Sequence, residues 1–360
     1  PLTGVTVAGS ANTTVDNIND AALTNSINIF GFGLFGDVVT LTAKNFSSGG
    51  TADAATINLG TGGGATGSVG TLNFAQLDDL TLNSQGPAGS TNTIGFLNTS
   101  DLETVTASGS ADLTVGGVSF NTGITEFDAS GLSGDLFLDV SNGNQDEILV
   151  LGGSGNDAVF GSRAGTSSGD TFNLGQGSDF VAVDESNAPG QRDTFRYDAT
   201  SLGSDDVAAS DNEVIYGFGG DGTPGNSLQA SDDVLDFTSG VENALNFQGD
   251  NLGSVSANVT LTNGTSLGNN TNVAVTDAAN GSDLLFQIDL NGNGTFEQSA
   301  DFQITLKGLA GEDLIYSASE DVFFADDEQG ASAPAYATSN DDTTQVTAFT
   351  LVLIDNPDNT

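Results

Sequence analysis

The chain has 360 residues, of which 48 are acidic and five basic, and it contains no histidine and no cysteine. Its net charge of −43 repels phosphate backbones and anionic lipid, which excludes nucleic acid and membrane surfaces as partners. The missing residue types exclude disulfides, thiolate metal sites, HExxH zinc sites and a Ser-His nucleophile pair.

Short runs of Val, Ile, Thr and Phe, bounded by Gly, Asn, Asp and Ser, predict an all-β fold with many tight turns. The apolar run Phe349–Ile354 is too short to cross a bilayer, so we expect no membrane insertion. Because the first residue is Pro1 and no signal peptide precedes it, we expect a processed or partial product.

Residues 1–145 carry a repeated frame: an apolar residue, two variable residues, and then apolar, Thr, apolar. It occurs in LTGVTVAGSANTTV from Leu2 and, 100 residues later, in LETVTASGSADLTV from Leu102. It returns at Leu77 and Ile124, so that successive copies from Leu77 lie 25 and 22 residues apart. This period predicts one coil of a parallel β-solenoid per copy, with alternate apolar residues facing inward. An antiparallel sandwich with chance similarity is the alternative.

Residues 146–240 contain glycine-rich turns. The stretch GGSGNDAVF, with Gly152, Gly153, Gly155 and Asp157, fits the nonapeptide G-G-x-G-x-D-x-apolar-x of calcium-binding β-rolls. A shorter match, LGQGSDFVA, keeps Gly175, Gly177 and Asp179, and Asp179 follows Asp157 by 22 residues.

A second, interleaved series consists of GDTF and RDTF, whose Asp170 and Asp193 are 23 residues apart. The two series have almost the same spacing, 22 and 23 residues, which predicts a two-sided β-roll. Asp157 and Asp179 would stack along one edge of the roll, and Asp170 and Asp193 along the other.

These residue types suit calcium, which takes six to eight oxygen ligands in a tolerant geometry. Glycine turns can present their carbonyl oxygens because glycine adopts positive φ readily, and the aspartates supply negative charge. Stacked carboxylates repel one another unless a cation lies between them. The alternative is a plain glycine-rich turn with a solvated aspartate.

Residues 241–330 form a predicted C-terminal β-rich region. Within it, Asp289, Asn291 and Asn293, followed by Gly294, match the first half of an EF-hand loop, but position twelve is Ala300 rather than Glu. A β-hairpin turn rich in Asn and Gly explains the same residues equally well. In residues 331–360 we expect a linker, Ala331–Asn340, and then one β-forming strand, Thr344–Asp355.

Three patterns resemble catalytic or nucleotide-binding motifs, but none of them predicts a catalytic or a nucleotide-binding site. Gly165–Gly169 spells a nucleophile elbow in a chain without histidine, and the two GxGxxG spellings, Gly31–Gly36 and Gly217–Gly222, do not open a helix. A pair of carboxylates could hydrolyse glycosides without histidine, but the absence of Trp argues against a sugar-stacking cleft. We therefore expect no enzyme activity.

The nonapeptide at Gly152–Phe160 resembles the RTX (repeats-in-toxin) family of calcium-binding secreted proteins, and the lead-in Ile124–Asp157 resembles RTX-type bacterial surface-layer proteins. The segments Val214–Gly222, Asp232–Gly240 and Phe286–Leu309 look like the region that closes the β-roll in RTX proteins exported by type I secretion. One departure is that the chain has a single clean nonapeptide, where RTX toxins carry several in tandem.

The resemblance implies Ca²⁺ as cofactor and a secreted chain at the surface of a Gram-negative-type bacterium. It implies a structural subunit of a surface layer, sheath or filament that assembles with itself. The alternatives are a calcium-dependent adhesin or matrix-binding module and, third, the noncatalytic part of a secreted RTX hydrolase. Copies of the chain, joined by exchange of the C-terminal strand, are the expected partner, and cell-surface polysaccharide is a second candidate.

Overall fold

The computed structural model of the chain describes residues 5–8, 12–18, 27–30, 38–43, 53–74, 77–99, 101–118, 123–141, 147–161, 169–183, 192–199, 201, 203–219, 228–229, 231–268 and 270–325. These residues contain 27 β-strands and two short helices. The helices are α1 (Ser239–Glu242) and a 3-10 helix (Leu252–Ser254).

The strands of the N-terminal half are short and regularly spaced. They are β1 (Val5–Ala8), β2 (Thr13–Ile18), β3 (Ile27–Phe30), β4 (Val38–Ala43), β5 (Ala54–Leu59), β6 (Ser68–Phe74), β7 (Asp79–Ser84), β8 (Thr91–Asn98), β9 (Thr104–Gly109), β10 (Asp112–Val115), β11 (Glu126–Leu132) and β12 (Leu136–Asp139).

The strands that follow are shorter still. They are β13 (Leu149–Leu151), β14 (Ala158–Phe160), β15 (Thr171–Asn173), β16 (Phe180–Ala182), β17 (Thr194–Tyr197), β18 (Asn212–Tyr216), β19 (Val234–Phe237), β20 (Asn246–Phe247), β21 (Asp250–Asn251), β22 (Val259–Leu261), β23 (Val273–Asp277), β24 (Leu284–Ile288), β25 (Phe302–Leu306), β26 (Leu314–Ser317) and β27 (Val322–Ala325).

Successive strands alternate between two sheets. The odd-numbered strands β1 to β19 lie in order in the first sheet and the even-numbered strands β2 to β18 in the second. Neighbours within each of these two runs pair in parallel. A chain that visits two sheets in turn, and returns one place further along each, is a two-sided β-solenoid. The predicted all-β parallel solenoid is confirmed, and the antiparallel sandwich is wrong for the described residues from Val5 to Phe237.

The repeated frame of the N-terminal half sets the length of the coil. Leu80 pairs with Val105, which is 25 residues later, and Val105 pairs with Phe127, which is 22 residues later. These are the spacings predicted from the copies that begin at Leu77, Leu102 and Ile124. Each copy therefore forms a strand of the first sheet.

The core is a set of columns that run along the solenoid axis. One column consists of inward-facing residues from nine neighbouring strands of the first sheet, each 2% exposed or less. Its members are Ala55, Leu80, Val105, Phe127, Val150, Phe172, Phe195, Leu235 and Phe323. Several outward positions of the N-terminal coils are polar; for example, Asn83 donates to Asn58 (2.7 Å) and Asn58 to Asn28 (2.9 Å) in an amide ladder.

Beyond β19 both sheets continue with antiparallel strands. In the first sheet β27 pairs with β19, followed by β26 and β22. In the second sheet β25 pairs in parallel with β18, and β24 and β23 follow in antiparallel order. The sheets thus cross the predicted boundaries near residues 145 and 240, and the division into domains stays a prediction. The predicted strand Thr344–Asp355 lies outside the described residues.

Removal of one ring from the central column should destabilise the fold strongly. Phe195 is 2% exposed and its ring stacks on that of Phe172 at 5.6 Å. We expect Phe195→Ala to lower the free energy of unfolding by about 3–5 kcal/mol, because it leaves a cavity that neighbouring coils cannot fill. Urea unfolding followed by circular dichroism measures this loss. The control Thr106→Ala, at an exposed position of β9, should change it by less than about 0.5 kcal/mol.

Candidate functional site

The two predicted aspartate series lie on opposite edges of the solenoid. The turn 152–157 joins β13 to β14, and the turn 174–179 joins β15 to β16 directly beside it. Asp170 and Asp193 precede β15 and β17, at the edge where the chain returns from the second sheet to the first. The predicted stacking within each pair is observed.

The glycines of the turns are required by the close approach of neighbouring coils. A Cβ atom at any of Gly152, Gly153, Gly155, Gly175 or Gly177 would overlap a carbonyl oxygen of an adjacent coil. Gly175 and Gly177 also have φ angles of 82° and 133°, which L side chains rarely adopt. This steric requirement applies whether or not the turns bind an ion.

The first acidic ladder consists of Asp157, Asp179 and Glu213, one from each of three neighbouring coils. Asp157 accepts hydrogen bonds from the N–H of Leu136 (2.8 Å) and of Gly153 (2.8 Å). Asp179 accepts from the N–H of Asp157 (2.7 Å), and Glu213 accepts from the N–H of Asp179 (3.1 Å). Each carboxyl group therefore binds the backbone of the coil before it.

The second acidic ladder consists of Asp170, Asp193 and Asp233 and repeats this pattern at the opposite edge. Asp170 accepts from the N–H of Ile148 (3.1 Å), and Asp193 accepts from the N–H of Asp170 (2.7 Å). Asp233 accepts from the N–H of Asp193 (2.8 Å) and of Gly219 (3.1 Å). The two ladders thus lie along the same three-coil segment of the solenoid, at opposite edges.

Burial makes the charged form of these carboxyl groups unfavourable. Asp157, Asp179 and Glu213 are 1%, 3% and 5% exposed. Burial raises the pKa of Asp157 to about 7, and the weaker opposing effect comes from its hydrogen bonds. Burial, followed by the charges of Glu213 and Asp157, raises the pKa of Asp179 well above its usual range. Burial, followed by the charge of Asp193, does the same to the pKa of Asp233.

Sequence reasoning missed the third member of each ladder. Glu213 follows Asp179 by 34 residues and Asp233 follows Asp193 by 40, so the period of 22 or 23 residues does not reach them. One local feature of the sequence could have identified Glu213 and Asp233 as ladder residues. Glu213 and Asp233, like Asp179, immediately precede the apolar residue that begins or continues a short strand.

The ladders carry carboxylate and backbone carbonyl oxygens, which are the ligands that hard cations prefer. Among the described residues, no three acidic side chains lie close enough together to hold a metal ion by themselves. A cation at the first acidic ladder would therefore need backbone carbonyl oxygens as well as one or two carboxylates, which calcium accepts readily. A cavity of about 20 Å³ lies beside Asp179 and Glu213, which is room for about one water-sized particle.

The predicted loop at Asp289 joins two antiparallel strands, so its hairpin interpretation is confirmed. Residues 289–301 connect β24 to β25. Asp289 is 4% exposed, and its two carboxylate oxygens accept the N–H groups of Gly292 and Gly294, each at 2.7 Å. Both glycines have positive φ, as a tight turn around a carboxylate requires.

The other two predicted ligands of this loop make different contacts. The side-chain amide of Asn291 donates to Asp301 (3.3 Å), which is fully buried. The oxygen of Asn293 accepts instead from the N–H (2.8 Å) and hydroxyl (2.6 Å) of Thr295. Asn291 and Asp301 are thus in contact, while the side-chain oxygens of Asn291 and Asn293 accept hydrogen bonds from Asn293 and Thr295 within the loop. An ion in this loop stays a prediction.

No protein-family model and no curated protein sequence matches this chain. Among the described residues, no helix has the length and apolar character needed to cross a membrane. The functional argument therefore rests on the geometry of the solenoid and its ladders.

The stacked turns give a test of the steric requirement for glycine. Gly175 and Gly89 have similar positive φ angles, 82° and 78°, but a Cβ at Gly175 would overlap Gly153, whereas a Cβ at Gly89 would meet open space. We expect Gly175→Ala to lower the free energy of unfolding by about 1–3 kcal/mol more than Gly89→Ala, since both share the backbone strain and only one is overpacked. Urea unfolding at a fixed calcium concentration compares them. Equal losses would contradict the stacking of these two turns.

Proposed function

We propose that this chain is a calcium-stabilised structural subunit that works outside the cell and assembles with copies of itself. The observation that carries the proposal is the stacking of acidic side chains in register along both edges of one solenoid segment. The resemblance of Gly152–Phe160 to the RTX nonapeptide supports the same interpretation.

The first acidic ladder concentrates acidic groups that form no ion pair with a basic side chain of the described residues. Among the described residues, Lys and Arg side chains form ion pairs with Glu320, Asp198 and Asp283, and not with this ladder. Two carboxylates one strand apart, at roughly 5 Å, repel each other by about 3 kcal/mol at an effective dielectric constant near 20. The charge must therefore be neutralised by protons or by cations from solution.

Calcium is the cation that this chemistry favours. The chain offers only oxygen ligands at the ladders, because it contains no histidine and no cysteine. Calcium accepts a variable number of carboxylate and carbonyl oxygens, whereas magnesium requires a nearly ideal octahedron and retains water. Calcium is also scarce inside cells and abundant outside them, so a chain that needs it to fold would fold after export.

A structural role suits a fold of this kind. The solenoid is a long, regular body in which each coil contacts its neighbours, and the histidine-free composition removes the usual general base. We propose no catalytic role. The partner is a second copy of the chain, and residues 341–360, outside the described residues, supply the strand that joins the copies by β-augmentation.

Calcium should control folding through the first acidic ladder. We expect the circular dichroism of the chain to gain β structure as calcium is raised from chelator to millimolar concentrations, because binding is coupled to folding. Asp179→Asn, in the middle of the ladder, should raise the calcium midpoint about tenfold or more. Asp250→Asn, at an exposed position of β21, is the matched control and should leave the midpoint unchanged. A spectrum indifferent to calcium, or equal midpoints for both variants, would contradict the proposal.

Polymer formation should require the C-terminal segment but not the calcium-dependent fold. We expect light scattering to rise when calcium is added to the refolded full chain, and to stay flat after deletion of residues 341–360, with the same circular dichroism. Refolding in vitro prevents a secretion defect from imitating this result. Normal polymers from the truncated chain would exclude strand exchange. A full-length chain that folds with calcium but stays monomeric would favour the adhesin alternative.

A further inference from the structure

A buried acidic side chain outside both ladders lies where the parallel part of the first sheet meets its antiparallel strands. Strand β19 ends at Phe237, and α1 begins two residues later. Glu242, the last residue of α1, is 5% exposed. Its Oε1 atom has no hydrogen-bond partner among the described residues. A buried carboxylate oxygen without a partner is costly when the group is ionised.

Three titratable groups of the neighbouring elements interact electrostatically with Glu242. Asp321 comes from the turn between β26 and β27, Asp236 from β19, and Tyr316 from β26. The Tyr316 hydroxyl donates to Asp321 at 3.2 Å, and Tyr316 is itself fully buried. Burial, and then the negative charges of Asp321 and Asp236, raise the pKa of Glu242 to about 7.

The strands that carry these groups hold the C-terminal region to the solenoid. Strand β27 pairs with β19 through Leu235–Phe323 and Asp236–Val322, and β26 pairs with β27 on its other side. The pairing between β19 and β27 involves two residue pairs, so it is the narrowest connection within this part of the first sheet. Separation of β26 and β27 from β19 would take the exposed Asp321 away from Glu242 and admit water to the buried Glu242.

We propose that Glu242 is a pH-dependent latch that controls the docking of strands β26 and β27 on β19. When Glu242 is protonated, no like charge opposes docking. When it is ionised, its charge repels Asp321 across the junction, and its Oε1 atom, which has no partner among the described residues, favours the opened, hydrated state.

The direction of the pH effect follows from the pKa of Glu242. This pKa is about 7 in the docked state and close to its ordinary value of 4.5 when the junction is open and hydrated. The docked state therefore binds the proton more tightly. Docking is most favourable below about pH 4.5, weakens as the pH rises to about 7, and changes little above that.

Hydrogen exchange of the amides in β26 and β27 measures this opening directly. Protection factors at pH 5, 6, 7 and 8, corrected for intrinsic exchange and taken at constant calcium, should fall by about tenfold per unit between roughly pH 5 and 7. In Glu242→Gln the protection factors should be nearly independent of pH. Glu103→Gln, at an exposed position before β9, is the matched control and should keep the wild-type profile. The same pH profile in wild type and Glu242→Gln would overturn the proposal.

A second variant tests the latch without altering Glu242. Asp321 has a φ of 58°, which asparagine tolerates, and an asparagine oxygen can still accept the Tyr316 hydroxyl. Asp321→Asn should therefore keep the fold and shift the midpoint of the protection profile to lower pH, because it removes the nearest like charge. An unchanged midpoint would overturn the proposal even if Glu242→Gln fails to fold.

Discussion

The parallel backbone ladder between neighbouring coils is the interaction on which the rest of the structure depends. It holds each side chain about 4.8 Å from its equivalent in the next coil, so that every position along the chain becomes a column. Where the column is apolar, as at Phe172 and Phe195, stacking builds the core. Where it is an amide, as at Asn58 and Asn83, stacking makes hydrogen bonds. Where it is acidic, the same geometry places like charges together.

One column shows this change of chemistry along the axis. Leu113 in β10 and Leu136 at the start of β12 occupy neighbouring positions, and the next coils place Asp157 and then Asp179 at the same edge. The coils around residue 113 place apolar side chains in this column, and their stacked carboxyl groups, Asp112 and Asp135, lie at less buried positions beside it. From residue 157 onward the column itself consists of buried carboxyl groups, for which burial makes the charged form unfavourable.

Protonation of a ladder carboxyl group would weaken its hydrogen bonds to the backbone without removing them. A protonated carboxyl group can still accept the N–H of the preceding coil, and an ionised carboxylate accepts it more strongly. The high pKa values at Asp157 and at Glu242 have the same origin, because both are acidic groups removed from water. They differ in surroundings: Asp157 has hydrogen-bond donors and a glycine turn beside it, whereas one oxygen of Glu242 has no partner in the part of the chain that the structure describes.

The sequence by itself determined the coil and its register, because a parallel solenoid repeats the chemistry of each position at a fixed interval. The copies at Leu77 and Leu102 were enough to predict the two strands β7 and β9, and Asp157 and Asp179 to predict stacked turns. The repeat interval did not reach Glu213, and no sequence pattern pointed to Glu242. Where a coil lengthens, as it does before Glu213, the interval is lost. Only the tertiary structure decides which distant strand, such as β27, packs against the last coil, because that contact depends on shape and burial rather than on spacing.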